Sequence, residues 1–332
     1  MSDRPIPVVF HPIFKPKPWG GRRLATLFDK PLPGHDPIGE SWELVSLPGH
    51  ESHVRGGPLA EQTLGELVDQ WGEDLLGSAQ LADGRFPLLI KFLDACEHLS
   101  VQVHPKPAAG DTTWQPGIKH EAWYVLHAEP DAKLFIGLKE GVQPEDVARV
   151  ANTPAMVDLL HEWAGEPGQC YYLPSGTLHA LGAGLVVAEV QTPSDVTYRA
   201  YDWNRVGLDG KPRNLHIDQS LANIRYDVTD DMIVQPAGEV VGPAGSATRV
   251  ASCERFAMDV HQGPTGLDAS LPAGQMRVWM VLSGAGRLTT GDAILRFGGG
   301  DVVLIPAASD DTHVKLDATC KWMETTIPAP DA

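Results

Sequence analysis

Four side chains with metal-ligand chemistry occur at a spacing that a β scaffold can close. The stretch Leu99-Ser100-Val101-Gln102-Val103-His104-Pro105 alternates, so that Leu99, Val101 and Val103 point one way on a strand and Ser100, Gln102 and His104 the other. A face made of a hydroxyl, an amide and an imidazole suits a polar pocket better than bulk solvent. Gln102 and His104 reach a common ion from one face. Glu121 follows a loop containing Gly and Pro and opens the next apolar run, which is how a neighbouring strand delivers a third ligand. His179 lies in Pro174-Ser175-Gly176-Thr177-Leu178-His179-Ala180, where small residues and a turn bring an imidazole close to an adjacent strand. A lone histidine is usually an ordinary core or loop residue, and thirteen histidines guarantee coincidental pairs. The other three side chains, however, lack one ligand. Two nitrogens and two oxygens suit Zn²⁺ with an open or water-filled position, and Fe²⁺ or Mn²⁺ fits the same set.

Other charged residues stand in unusual places. Glu189 sits inside Leu185-Val186-Val187-Ala188-Glu189-Val190-Gln191, where a carboxylate is costly unless it is paired, functional or turned outward. Arg199 is flanked by aromatics in Tyr198-Arg199-Ala200-Tyr201-Asp202-Trp203; it is either a structural ion pair with Asp202 or Glu189, or a group that holds a phosphate or an oxyanion. Lys119 projects to the same side as Glu121, although a solvated loop lysine is the commoner case. Lys91 interrupts the apolar strand Pro87–Leu93 and reads as a strand-surface lysine or an anion ligand. Trp19, Glu40, Trp42 and Glu43 are candidates for pocket lining, set against the usual core role of Trp.

The elements that must position these residues are mostly strands. Short apolar segments recur along 332 residues, bounded by Gly and Pro, which indicates a mainly β sandwich or jelly roll with a few short helices. Helical spacing over 63–77, with a Thr63/Glu66 capping box and Gly77 as terminator, predicts one helix. Two more are expected at 144–151 and 154–163, the second capped by Thr153, and a brief one within 215–224. An edge strand broken by Pro12 is expected over 7–14, followed by a rigid proline loop at 15–21. A stretch rich in Pro, Gly and Ala near 235–247 marks a boundary, dividing the chain into 1–235 and 236–332. Gly168-Gln169-Cys170-Tyr171-Tyr172-Leu173-Pro174 and Gly300-Asp301-Val302-Val303-Leu304-Ile305-Pro306 share one build, Gly, polar residue, four mostly apolar residues, Pro. Two related jelly rolls follow, the first carrying a site and the second none.

Acidic residues number 43 against 26 basic, a net charge of −17, which argues against nucleic acid or an anionic membrane as partner. A phosphorylated small molecule remains compatible, because one local cationic pocket is enough. Cys96, Cys170, Cys253 and Cys320 form no CxxC and read as reduced thiols. No leader-like or membrane-length apolar run is visible, so a cytoplasmic protein is expected, as a monomer or homodimer.

Four motifs, in order, resemble the type I mannose-6-phosphate isomerases, and most closely their short bacterial form: Leu99–Pro105, Lys119-His120-Glu121-Ala122-Trp123-Tyr124, Leu173–Leu181 and Asp195–Trp203. Lys15–Gly21 and Gly39–Glu43 also match. The resemblance covers about 8–225 and is weak beyond. It implies cupin-type jelly rolls, one Zn²⁺ held by Gln102, His104, Glu121 and His179, and Ser100, Lys119, Glu189 and Arg199 in the substrate pocket. It implies interconversion of mannose 6-phosphate and fructose 6-phosphate through an enediol(ate). A base must lift a proton from the carbon next to the carbonyl, with Glu189 the first candidate and Lys119 the second, and Arg199 in support. Ser100, Lys91 and Arg199 are the donors available to the sugar phosphate. Longer members carry a histidine before the lysine, where this chain has Ile118, with His120 on the other side. The alternatives are a cupin isomerase of another sugar phosphate and a non-catalytic sugar-phosphate-binding regulator. The reading requires Gln102, His104, Glu121 and His179 to gather around one point.

Overall fold

In the computed structural model, described for residues 4–328 except 109–114, 116, 236, 243–244 and 309–310, the chain forms antiparallel sheets that pair into two barrels. The first barrel opposes two sheets. One has six strands in the order Cys170–Leu173, Glu121–Ala128, Leu185–Gln191, Leu89–Ala95, Ile38–Leu44, Ile13–Gly21. The other has five, Leu160–Ala164, Lys133–Leu138, His179–Leu181, Val101–Val103, Tyr198–Tyr201. The second barrel opposes a seven-stranded sheet (Val8–Val9, Val302–Ile305, Arg277–Ser283, Cys320–Thr326, Ala257–Gly263, Gly245–Ser252, Gly238–Gly242) and a four-stranded one (Asp268–Ser270, Thr312–Leu316, Ala285–Thr290, Ala293–Gly298). Two jelly rolls with few helices are what the strand-and-turn pattern predicts.

The large sheets pack back to back, which explains their near-continuous apolar runs. Ile90, Phe92, Ala122, Tyr124, Val186, Ala188 and Val190 leave the first barrel and meet Met258, Met276, Val278, Met280, Leu304 and Met323 of the second. The alternate residues Leu93, Trp123, Val125, Leu185 and Val187 face the first barrel's own interior. Both faces of these strands are therefore buried, and the period of two is hidden within an apolar run. The same parity sends Lys91 and Glu189 into the barrel rather than to solvent, and both are buried.

Several local expectations are corrected. The segment 15–21 is not a loop: Ile13–Gly21 is the edge strand of the six-stranded sheet, with register shifts around Pro16. Prolines survive there because an edge strand leaves amide positions unpaired. Strand Val8–Val9, before it, lies on the edge of the other barrel's sheet, paired with Val303 and Leu304. The helix expected over 63–77 is two, Leu64–Trp71 and Glu73–Leu76, split at Gly72, whose φ of 49° no continuing helix permits. The Thr63/Glu66 capping box is formed in both directions. The helix expected over 154–163 is a 3₁₀ turn, Pro154–Leu159, followed by strand Leu160–Ala164, which pairs with Lys133–Leu138. Thr153 does not cap it; its hydroxyl donates back to the Val150 carbonyl at 2.7 Å. Helices Pro144–Val150 and Ile217–Asn223 form as expected. Among the described residues no helix is long and apolar enough to cross a membrane.

Two substitutions separate local from long-range support. Thr63→Ala removes a cap and costs about 1 kcal/mol. It leaves the kinetics unchanged. A Cβ at Gly20 meets the Gly39 nitrogen at 2.3 Å, backbone against backbone. Gly20→Ala therefore prises the edge strand from its neighbour, and urea unfolding records a loss above roughly 2 kcal/mol together with weaker substrate binding.

Candidate active site

The pocket is built where the two sheets of the first barrel converge. Glu121 opens one strand of the six-stranded sheet, and His179, opening its own, pairs with Gln102 across the facing sheet. His104 follows directly after Val101–Val103. The His179 Nε2 lies 3.1 Å from Glu121 Oε1, and the His104 Nε2 lies 3.4 Å from the same oxygen. One ligand atom from each of the three residues falls within 4.8 Å of the others, and all three side chains are buried. The Gln102 amide lies 3.3 Å from His179 Nε2, and its other end accepts from Ser100 Oγ at 3.1 Å. Half a turn of that amide exchanges its nitrogen for an oxygen aimed at the same point.

The protons on these imidazoles are assigned by their partners. His104 Nδ1–H donates to the Val196 carbonyl and His179 Nδ1–H to the Thr177 carbonyl, each at 2.8 Å. A carbonyl only accepts, so each Nε2 keeps its lone pair and turns it inward. Burial lowers both histidines, with the Lys119 ammonium adding to the effect; His179 falls to about 3. They are neutral at ordinary pH. Burial alone would raise Glu121, but the Lys119 ammonium beside it outweighs this and holds the carboxyl well below the usual range. An anionic oxygen and two nitrogen lone pairs therefore face one another with no proton between them. This donor set fits a divalent cation.

Beside the cluster runs a chain of buried charges. Lys119 Nζ lies 2.6 Å from Glu121 Oε2 and 3.9 Å from Glu189 Oε1. Glu189 takes Lys91 at 2.9 Å on one oxygen and the Trp123 indole N–H at 2.8 Å on the other. Lys91 continues to Glu40 at 3.7 Å, and Lys17 reaches Glu40 at 2.9 Å. Burial alone would raise Glu40, yet Lys17, Lys91 and the Trp42 indole bring it down to about 2. Burial alone would lower Lys91, yet Glu189 and Glu40 raise it. Lys91 and Lys119 are thus neither strand-surface nor solvated lysines.

A cavity of about 130 Å³ joins these groups. Ser100, Gln102, Lys91, Lys119, Glu189 and Arg199 all line it, as do Trp19, Glu40 and Trp42. Glu43 does not: strand parity turns it away, onto Lys30 at 2.7 Å. Arg199 is not paired as expected, because Asp202 is taken by Arg205 and Arg213. Its Nη1 donates to the Asn214 carbonyl at 2.8 Å, and its Nε is buried with no hydrogen-bond partner among the described residues. His120 is turned out of the pocket onto the Tyr172 hydroxyl at 2.7 Å, so it does not replace the histidine absent at Ile118. Lys17, Asp195, Thr197 and Arg213 also line the cavity and were not singled out from sequence. Lys17 lay in a segment read as a loop; Asp195 and Thr197 lie in the Asp195–Trp203 motif at the parity of Arg199, a signal not used, and nothing local distinguishes Arg213 from a surface residue.

Residues 9–133 match the family model "Phosphomannose isomerase type I, catalytic domain". The chain is 32% identical over 320 residues to a probable mannose-6-phosphate isomerase, GmuF, of Bacillus subtilis (strain 168), spanning 96% of this chain and 98% of that protein. It is 30% identical over 329 residues to the mannose-6-phosphate isomerase ManA of the same organism, spanning 95% and 97%. The crystal structure of the mannose 6-phosphate isomerase from Bacillus subtilis superposes with a TM-score of 0.85 at 29% identity, covering 97% of this chain and 99% of that one.

The depressed Glu40 carboxyl has a stability consequence. Its folded pKa of about 2 lies below its ordinary 4.5, so its contribution is full above pH 4.5 and is lost as the pH falls toward 2. That contribution is on the order of 3 kcal/mol at most. Lys17→Met removes the strongest of the lowering charges. Urea unfolding at stepped pH then gives a shallower acid limb between about 4.5 and 2; an unchanged slope refutes the assignment.

Proposed function

The chain belongs to the type I mannose-6-phosphate isomerases, metal-dependent enzymes that interconvert mannose 6-phosphate and fructose 6-phosphate, and from that premise we propose how its residues divide the work. The metal is Zn²⁺, one per chain, held by Gln102, His104, Glu121 and His179. The observation that carries this reading is the meeting of the two inward imidazole lone pairs with the Glu121 carboxylate. Zn²⁺ bound there supplies Lewis acidity toward the sugar's oxygens. A cytoplasmic location suits the four free cysteines, one of them exposed.

Isomerisation moves a carbonyl from C1 to C2. The proton on C2 must leave, and one must be delivered to C1, while the hydroxyl proton passes from O2 to O1. Glu189 is the group that takes the carbon-bound proton and returns it. Its carboxylate is held between Lys91 and the Trp123 indole, so it faces the cavity in one fixed orientation. Lys119 lies between Glu121 and Glu189, with its ammonium 2.6 and 3.9 Å from their carboxylates. Its ammonium also offers a proton to the sugar oxygens. Ser100 positions the Gln102 amide through its hydroxyl.

Arg199 and Lys91 supply positive charge to the phosphorylated sugar. Arg199 is suited to this because Asp202 is already satisfied by two other arginines, which leaves the Nε–H without a partner in the site. Charge from a few buried side chains is enough to bind a dianion within a chain of net charge −17.

Two experiments test this division. Metal analysis of the purified protein gives about one zinc per chain; a chelator abolishes turnover and added Zn²⁺ restores it, and His179→Ala loses metal and activity together. Glu189→Gln keeps its metal while kcat falls by about 10²–10⁴, the range for loss of a general base. Full turnover by Glu189→Gln moves the proton-carrying role to Lys119. Zinc-loaded protein that binds sugar phosphate without isomerising it returns the assignment to a regulator.

A further inference from the structure

The second barrel repeats the first strand for strand. The order Cys170–Leu173, Glu121–Ala128, Leu185–Gln191, Leu89–Ala95 reappears as Val302–Ile305, Arg277–Ser283, Cys320–Thr326, Ala257–Gly263. The shared Gly-to-Pro segments seen in the sequence are the first strands of the two series, and they fix the register. Leu173 pairs with Glu121 and Ile305 with Arg277. Trp123 pairs with Glu189 and Trp279 with Glu324. Glu189 pairs with Lys91 and Glu324 with Asp259. Arg277 therefore stands at the position of Glu121, Glu324 at that of Glu189, and Asp259 at that of Lys91. The indole-to-carboxylate bond is kept as well, with Trp279 Nε1–H donating to Glu324 at 2.6 Å.

These inward positions are not filled with apolar side chains, as a purely structural barrel would have them. They line a cavity of about 420 Å³ together with Arg249, His261 and Thr326. Its polar groups are only partly satisfied by one another. Arg277 Nη1 donates to the carbonyls of Pro272 and Gln275, at 2.7 and 2.9 Å, but its Nε is buried without a hydrogen-bond partner among the described residues, 3.6 Å from Glu324. Both ring nitrogens of His261 are likewise buried without a hydrogen-bond partner among the described residues, Nε2 lying 4.0 Å from Glu324. Arg277 is 5% exposed and His261 2%. Leaving such groups unpaired costs free energy that a ligand's hydrogen bonds recover.

We propose that this cavity is a second ligand site, for an uncharged, polyhydroxylated molecule of hexose size. The charge count selects a neutral ligand. Arg249 and Arg277 face Asp259 and Glu324, and Arg249 is spent on Asp259 through paired contacts. An anion would meet Glu324 and a cation would meet Arg277, whereas hydroxyl groups both donate and accept. The free groups match: Arg277 Nε–H donates, and His261 offers one donor and one acceptor. Arg277 at the position of Glu121 places a fixed cation where the first barrel has a carboxylate, so this site needs no metal.

The test uses the intact zinc-loaded enzyme, with D-mannose and inorganic phosphate as probes. The catalytic pocket is first saturated with 1,5-anhydromannitol 6-phosphate, which lacks the reacting carbonyl. Calorimetry is expected to show one D-mannose bound saturably per chain. Arg277→Met and Thr326→Val each weaken it by roughly tenfold or more, while kcat/KM for isomerisation stays within about twofold of wild type. Thr326→Val changes one hydroxyl and keeps the β-branched shape, so it decides the matter if Arg277→Met does not fold. Absence of saturable mannose binding overturns the proposal, as does binding unchanged in Thr326→Val. Phosphate binding in place of mannose overturns the neutral class.

Discussion

An anionic oxygen and two nitrogen lone pairs face one another in a dry barrel without a proton to share. That constraint organises the first half of the molecule. The imidazoles cannot rotate out of it, because the Val196 and Thr177 carbonyls hold their Nδ1–H groups. The carboxylate cannot take a proton to relieve it, because Lys119 stabilises the charge at 2.6 Å. Three acceptors held at such distances repel one another until a cation joins them. The fold therefore spends stability to hold a site in readiness, as metal and catalytic sites commonly do.

The buried charges around it serve the same end. Lys17, Lys91 and Lys119 alternate in space with Glu40, Glu189 and Glu121, each carboxylate lying between cations or beside an indole N–H. Buried ion pairs rarely repay their desolvation, so such a network contributes little net stability. What it supplies is orientation. Glu189 is fixed by Lys91 and Trp123, and Glu40 by Lys17, Lys91 and Trp42, with no freedom to collapse onto His104, Glu121 and His179.

Much of this was legible in the sequence. The alternation through Ser100, Gln102 and His104 gave the inward face directly; Lys119 shares the parity of Glu121, although a solvated lysine was the commoner expectation. The two Gly-to-Pro segments announced the duplicated barrel. What escaped notice has physical reasons. Pro16 and Pro18 disguise an edge strand as a loop, since propensity cannot tell an unpaired amide from a missing one. Leu160–Ala164 follows a proline-started turn whose spacing imitates a helix, and only pairing with Lys133–Leu138 makes it a strand. Lys91 sat in a run apolar on both faces, so its direction was unreadable until the second barrel was seen to cover the outer face. Arg213 reaches the pocket through tertiary folding alone.

The back-to-back packing also explains how two barrels with one strand order came to carry such different interiors. The faces that meet between them are bound to each other: Phe92, Tyr124 and Val190 on one side and Met258, Met280 and Met323 on the other form one shared core, in which a change in volume is felt by both barrels. The inward faces are not coupled in this way. A strand's alternate residues separate the two duties completely, so Trp279 and Glu324 keep the pairing of Trp123 and Glu189 while the Arg277 guanidinium stands at the position of the Glu121 carboxylate. Charge is exchanged at two inward positions, Arg277 standing where Glu121 does and Asp259 where Lys91 does. The outer face that supports its neighbour is left unchanged by that exchange.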